Sequence, residues 1–347
     1  MKTRFTLLNF LLLLSAMGII TFLSCEKDSN DVNILNNRLK AQYGEVVKLS
    51  DGSWRGTVDG KVVYTGSRLF DCANAVINNM SDGTVVIKNS GESGPGIGNI
   101  YAIKPKSNMT LDFSGCTINC NGDDYIVPVQ ADNKSNITVK NLKITGRARY
   151  GLWFRTCSGL RFENITISTS WGLGIRVDNS KGGPSSNVYM TKINVTSCGD
   201  QAVETYGVNG CTITDVTASN VANGCGLLLN QSTNNSIGTV NGYRCNKGGG
   251  YAAFRVANNN RTTTCAKVIA NECGRGFFSV SGSSNCTVQN VDIKNCTSHG
   301  IFLEDASYTY INSGTVTNCN PNVQHVRCSN VRTCVNGQTY TANDGKW

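Results

Sequence analysis

From about residue 125 to residue 305, short apolar runs of similar form return along the chain at nearly constant spacing. They are Tyr150–Arg155, Gly174–Asp178, Ala202–Tyr206, Gly226–Asn230, Ala253–Ala257, Gly276–Val280 and Gly300–Glu304. Counted from their first apolar residues, Leu152, Ile175, Val203, Leu227, Phe254, Phe277 and Ile301, the gaps are 23, 28, 24, 27, 23 and 24. Between them runs a second recurring segment, seen at Asn136–Lys140, Leu160–Asn164, Cys211–Asp215 and Cys286–Asn290. A period of about 25 that holds two or three strands and no helix-length pattern predicts a parallel β-solenoid, one repeat to a rung. The leucine-rich horseshoe, the nearest rival, needs a Leu-x-x-Leu-x-Leu consensus that the repeats lack.

One segment departs from this period. Residues 68–80 place Leu69, Phe70, Ala73, Val76, Ile77 and Met80 at helical spacing, which predicts a short N-terminal helix covering the open end of the solenoid. Composition agrees with a β-rich, turn-rich chain: 37 Gly against 5 Pro, with Asn, Ser, Thr and Val abundant. The Asn-x-Ser/Thr triplets at Asn108, Asn136, Asn164 and Asn194 are read as turn asparagines ahead of strands rather than glycosylation sites. Cys198, Cys245, Cys273, Cys296 and Cys319 recur with gaps of 47, 28, 23 and 23, and Cys211, Cys265 and Cys286 suggest a second column. Such columns predict buried thiols stacked along a core, with isolated disulfides as the alternative. No CxxC pair with a His partner supports a metal site.

The first residues form a targeting pattern. Lys2 and Arg4 precede an apolar run from Phe5 to Leu23, closed by Ser24-Cys25 and the polar stretch Glu26–Asp31. The expected organisation is a signal peptide over 1–24, a polar tether over 25–45, an N-terminal cap and first rungs over 46–110, and the solenoid over 111–347. Cys25 is the expected lipidation site, giving an outer-membrane or cell-surface protein held by a lipid and by no spanning helix. The formal charge of +9 weakly favours an acidic partner. Nucleic acid is not expected, because no Lys/Arg-dense stripe interleaves with aromatics.

Strand alternation splits each first-strand run into inward and outward residues. One outward column reads Trp153, Arg176, Glu204, Leu228, Arg255, Phe278, Phe302; two residues further along it reads Arg155, Asp178, Tyr206, Asn230, Ala257, Val280, Glu304. Arg176 across from Glu204, and Arg155 across from Asp178, would be cross-strand ion pairs. Exposed pairs of that kind contribute roughly 0 to 1 kcal/mol, so the density of charged and aromatic residues on these rungs points to a ligand site. Glycosidic hydrolysis needs two carboxyl groups. Asp178 and Glu204, on adjacent rungs, are the expected pair, with Asp200 at the preceding turn as a third candidate. Trp153, Arg155, Arg176, Tyr206, Asn230 and Arg255 are the expected substrate-binding residues: arginines for uronate or sulfate groups, aromatics for sugar faces. β-Elimination, with Arg176, Arg255 and Tyr206 supplying neutralisation, base and acid, is the second reading. A non-catalytic glycan-binding or adhesive solenoid is the third. No cofactor is expected; Asp123-Asp124 offers a Ca²⁺ position but is better read as the end of a rung.

The rung pattern over residues 50–340 resembles the pectin-lyase-like superfamily, which implies an all-β fold, a right-handed parallel β-helix, and polysaccharide cleavage on one sheet. Arg176-Val-Asp178-Asn179 and Cys198-Gly-Asp-Gln-Ala-Val-Glu204 resemble the carboxylate segments of polygalacturonases, and Phe254-Arg255-Val256 their basic segment. The paired Asp of that family reads Asp200-Gln201 here, its His-Gly reads Cys225-Gly226, and no Lys follows Arg255 by two. Tyr150–Arg155, Glu204–Gly207 and Gly250–Asn258 also look like a group of secreted bacterial and fungal β-helix proteins loosely called glycosyl hydrolases. The leader resembles those of Bacteroides-type surface lipoproteins. The expected partner is therefore an acidic, pectin-like polysaccharide, bound by a monomeric chain.

Overall fold

The structure, a computed structural model, describes residues 41–344. The leader, Cys25 and most of the tether lie outside the described residues. Ordered strand begins at Tyr43, slightly ahead of the boundary expected at 45.

Ten short strands stack in parallel into one sheet. They are Tyr101–Ile103, Ile126–Asp132, Tyr150–Arg155, Leu173–Asp178, Val203–Tyr206, Leu227–Asn230, Ala252–Ala257, Arg275–Val280, Ile301–Glu304 and Val323–Val326. All seven strands expected from the periodicity are present within one residue of their predicted starts. The inward residues pair in the expected register: Leu152 with Ile175, Ile175 with Val203, Val203 with Leu227, Leu227 with Phe254, Phe254 with Phe277 and Phe277 with Ile301. All are fully buried. A methylene removed from such a stack cannot be replaced by water, and each large side chain contributes roughly 1.5–3 kcal/mol through burial.

The second recurring segment is longer than its sequence signal. Ser135–Gly146, Ser158–Thr169, Ser185–Ser197, Val208–Ser219, Thr233–Tyr243, Arg261–Asn271 and Ser284–Lys294 run in parallel through a second sheet. Asn141, Asn164 and Lys192 interrupt the first three with left-handed backbone, φ 57°, 55° and 53°. Ladder pairing skips that residue, passing from Lys140 with Glu163 to Leu142 with Ile165. Each such strand thus supplies two walls of the rung. Asparagine suits the bend because its short amide tolerates positive φ. Asn108 and Asn136 also have positive φ, as a turn asparagine requires, whereas Asn194 sits within a ladder opposite Thr166 and Thr217.

The ends of the second sheet leave the parallel pattern. Tyr43–Lys48 pairs in parallel with Gly83–Ile87 but antiparallel with Trp54–Val58, which pairs antiparallel with Lys61–Gly66. At the other end Val331–Val335 and Gln338–Ala342 form an antiparallel hairpin. The predicted helix spans Leu69–Asn78 and buries Leu69, Phe70, Cys72, Ala73, Val76 and Ile77 in the core shared with the rungs. Gly44 and Gly56 allow its approach, since a Cβ on either would collide with Val76.

The fifteen described cysteines are free thiols, and all but Cys319 and Cys334 are buried. The first predicted column is continuous, with Val221 filling the double gap between Cys198 and Cys245. Cys273 Sγ accepts from the Cys245 N–H at 3.4 Å, and Cys319 Sγ from the Cys296 N–H at 3.3 Å. The second column is corrected. Cys211, Asn235, Thr263 and Cys286 stack on one another, while Cys265 stacks between Ile237 and Val288, two residues further along the strand. The gaps along the chain, 54 and 21 residues, are two more and two fewer than the rungs they span, which is the displacement of Cys265 within its rung.

Candidate functional site

The outward face of the ten-stranded sheet carries the site, because the same stacking that buries Leu152, Ile175 and Val203 aligns their neighbours outside. Trp153 lies beside Arg176, Arg176 beside Glu204, Glu204 beside Leu228 and Leu228 beside Arg255. Asp178 lies beside Tyr206, and Tyr206 beside Asn230.

Asp178 and Glu204 are both nearly inaccessible, 1% and 4% exposed, yet their environments differ. Asp178 Oδ1 accepts from the Ser180 N–H at 2.9 Å and the Ser180 hydroxyl at 2.5 Å. Its Oδ2 accepts from Trp153 Nε1 at 2.9 Å and Arg176 Nε at 2.9 Å. Burial alone would raise its pKa, but the Ser180, Trp153 and Arg176 hydrogen bonds outweigh that and hold the carboxyl below the ordinary carboxylate range. With every lone-pair direction engaged, Asp178 is an ionised anchor. Ser180 stands in the insertion that makes this rung 28 residues long, and Ser185 Oγ ties its far side to the Asp178 carbonyl at 2.7 Å.

Glu204 accepts from Arg176 Nη1 at 2.7 Å and from Asn230 Nδ2 at 3.3 Å. Asn230 is in turn held through its Oδ1 by Asn258 Nδ2 at 2.9 Å. Burial pushes the Glu204 pKa up; Arg176 and Asn230 offset part of this, and the charges of Asp178 and Asp200 add to it. Arg176 therefore bridges one carboxyl held ionised and one biased toward its proton. Both raise the Arg176 pKa against desolvation. Asp200, half-buried at the turn before Val203–Tyr206, lies close enough for its charge to bear on Glu204. Among the described residues its carboxylate has no hydrogen-bond or ion-pair partner.

Three expected binding residues are engaged otherwise than expected. Arg155 does not pair with Asp178. It grips Asp132 on the preceding rung through Nε at 2.6 Å and Nη2 at 2.5 Å, because the acceptors of Asp178 are filled. The Trp153 ring stacks on Tyr150, centroids 4.4 Å apart, with the Arg155 guanidinium 4.0 Å from its centroid, so the protein itself occupies the ring. Arg255 sits beyond Leu228 and does not reach the carboxylates. Its guanidinium lies 5.1 Å from the Tyr251 ring and 5.0 Å from the Phe278 ring. Tyr206 is half-buried beside Arg176, 5.7 Å from guanidinium to ring.

The sequence reading missed Ser180, Asp132 and Arg275. Arg275 stands two residues before the inward Phe277, as Tyr150 stands two before Leu152; strict alternation points both inward, and only the break in ladder pairing at the intervening Gly276 and Gly151 brings them to the outer face. The Asp123-Asp124 pair closes locally: Asp124 binds Arg147 at 2.6 Å, and Asp123 accepts from the Tyr125 N–H at 2.9 Å. Among the described residues no three His, Cys, Asp or Glu side chains group to hold a metal ion. A cleft of about 750 Å³ near the N-terminal end, lined by Lys48, Trp54, Arg68, Glu92 and Asn119 among others, contains none of the expected site residues.

The fold is thus a right-handed parallel β-helix, with a polar cluster on its short-strand sheet. Residues 125–278 match the family model described as the right handed beta helix region. Among solved structures, the catalytic unit of a thermostable GH87 alpha-1,3-glucanase from Streptomyces thermodiastaticus strain HF3-3 is similar, at 12% identity and a TM-score of 0.39. The likeness covers 75% of this chain and 62% of that one, less than two thirds of the glucanase structure. No curated protein matches the chain.

Proposed function

We propose that the polar cluster hydrolyses glycosidic bonds of an acidic polysaccharide, with Glu204 as the general acid. The observation that carries this reading is the opposed pair of carboxyl environments bridged by Arg176. A carboxyl biased toward its proton beside a carboxylate held ionised is the division of labour glycoside hydrolysis requires. Glu204 gives its proton to the leaving oxygen. Asp200, with its free carboxylate, takes a proton from the water that attacks the anomeric carbon, so the two carboxyls exchange protonation states in one turnover. Asp178 is a positioning residue that fixes Arg176, and through it Glu204. Tyr206 offers an aromatic surface to the sugar. The acid character of the substrate is supported by Arg255, which has no ion pair among the described residues. Lipid anchoring through Cys25, and with it a cell-surface site of action, belongs to the same proposal.

Incubation with uronate-containing polysaccharides tests the reading. New reducing ends without the ultraviolet absorbance of unsaturated uronate support hydrolysis. Reducing ends with that absorbance support β-elimination instead, and binding without new ends supports the non-catalytic reading.

A further inference from the structure

Beyond the carboxylates the same face continues as an apolar floor. Leu228, Phe278 and Phe302 point outward yet are only 4%, 4% and 7% exposed, and with Cys225, Ala252, Ala257 and Val280 they form a small cluster separate from the main core. Phe278 and Phe302 stack with centroids 5.1 Å apart and planes 11° from parallel. Over this floor lie two arginines. Arg275 Cζ stands 4.2 Å from the Phe278 ring and 4.9 Å from the Phe302 ring, and Arg255 Cζ lies 5.0 Å from Phe278.

These arginines differ from the others on the face. Arg155 and Arg176 grip carboxylates; Arg255 and Arg275 have no ion pair among the described residues. The Nε groups of both are buried without a hydrogen-bond partner. Arg275 makes one hydrogen bond, from Nη1 to the Gly250 carbonyl, which neutralises nothing. Its pKa is lowered by burial and by the charge of Arg255, and the carboxylate that offsets part of this, Glu304, is held at 3.0 Å by Arg327. Two half-desolvated cations that repel each other, held flat on aromatic rings with donors unfilled, are a costly arrangement without a counter-anion. Planar guanidiniums preorganised by stacking suit an oxyanion that accepts several N–H bonds at once.

We propose that Arg255 and Arg275 form an anion subsite for a carboxylate or sulfate group borne by the glycan. Glu204 and Arg255 are two rungs apart, about 9.6 Å along the helix axis, so the subsite receives the charged group of a sugar neighbouring the scissile bond. The placement rests on the hydrolytic reading of Glu204; the anion binding itself does not.

The test is calorimetric binding of three oligosaccharides, a polygalacturonate, a sulfated galactan and a neutral glucan, to the wild-type protein and to R255M/R275M. Wild-type protein is expected to bind at least one acidic probe more tightly than the glucan, with affinity falling as salt rises. The double variant is expected to lose at least about tenfold of that affinity, consistent with losing a charge-assisted contact. Which acidic probe binds identifies the oxyanion. R255Q, which disturbs the packing less, carries the same expectation if the double variant does not fold. Equal affinity for acidic and neutral probes, or acidic binding unchanged in the folded variants, overturns the subsite. Acidic binding that depends on these arginines without any cleavage overturns the hydrolytic reading and leaves the subsite standing.

Discussion

The two halves of the short-strand sheet are built on one inward stack and differ only outside. On the rungs from Tyr150 to Asn230, both outward arginines are compensated locally: Arg155 with Asp132, Arg176 with Asp178 and Glu204. On the rungs from Ala252 to Glu304, the cations Arg255 and Arg275 lie on an apolar floor with no ion pair among the described residues. The first region spends its charges on positioning each other; the second leaves them for something that is not the protein. A solenoid can hold both because rung stacking fixes where an outward side chain stands without specifying what it is.

The comparison breaks first at Glu204. Glu204→Gln keeps the shape and one of the two accepted hydrogen bonds but removes the transferable proton, so hydrolysis should fall by on the order of 10²–10⁴-fold, the usual contribution of general acid catalysis. Full activity in that variant would return Glu204 to a purely structural role. The pH profile sharpens the same point. Because burial raises its pKa, Glu204 stays protonated beyond the ordinary carboxylate range, and activity should be lost only as pH rises through that raised value. Its contribution to stability follows the same sign: present below the unfolded pKa, lost as pH rises through the folded one. Asp178 is opposite. Its folded pKa lies below the ordinary 3.8, so its contribution is present above that value and lost as pH falls through the folded one.

Asp178→Ala comes next. It leaves the Arg176 guanidinium, the Trp153 indole N–H and the Ser180 N–H without their acceptor in a site 1% exposed, a loss expected to cost about 3 kcal/mol in denaturant unfolding. A cost below about 1 kcal/mol would mean that water replaces the carboxylate, and the positioning role of Asp178 would fall. In the main core, Cys286→Ser should cost about 1–3 kcal/mol, since a hydroxyl takes the place of a fully buried thiol. Reductant should leave the melting temperature unchanged, because the described thiols are free.

How much of this was legible in the sequence depends on whether a feature repeats. The inward stack was readable because each rung restates it, and the seven predicted strands stand where the period put them. The thiol column at Cys198 was readable for the same reason. The position of Cys265 was not, because its gaps of 54 and 21 residues pass for turn-length variation in a chain whose rungs do vary in length. At the site, alternation placed Arg176 beside Glu204 correctly, but it offered Arg155 two acidic neighbours, Asp132 and Asp178. Only the Ser180 turn decides between them. Ser180 and Gly250 both belong to the longer rungs, with gaps of 28 and 27, so departures from the period carried site information that the period itself did not.

The smallest expected effect tests that choice. Arg155→Met removes the bidentate contact to Asp132. The side chains of the pair are 17% and 29% exposed, Gln130 Nε2 still donates to Asp132 at 2.7 Å, and the methionine can keep the apolar stem against Trp153. The stranded Asp132 carboxylate can also recruit water, which a fully enclosed one cannot. The expected cost is roughly 0–1 kcal/mol, the range for ion pairs in contact with solvent, measured as a shift in denaturant midpoint at unchanged slope. A loss as large as that of Asp178→Ala would mean that Arg155 orders Trp153, and through it the Asp178 anchor. The compensated rungs would then be one coupled network rather than a buried anchor with a surface clasp beside it.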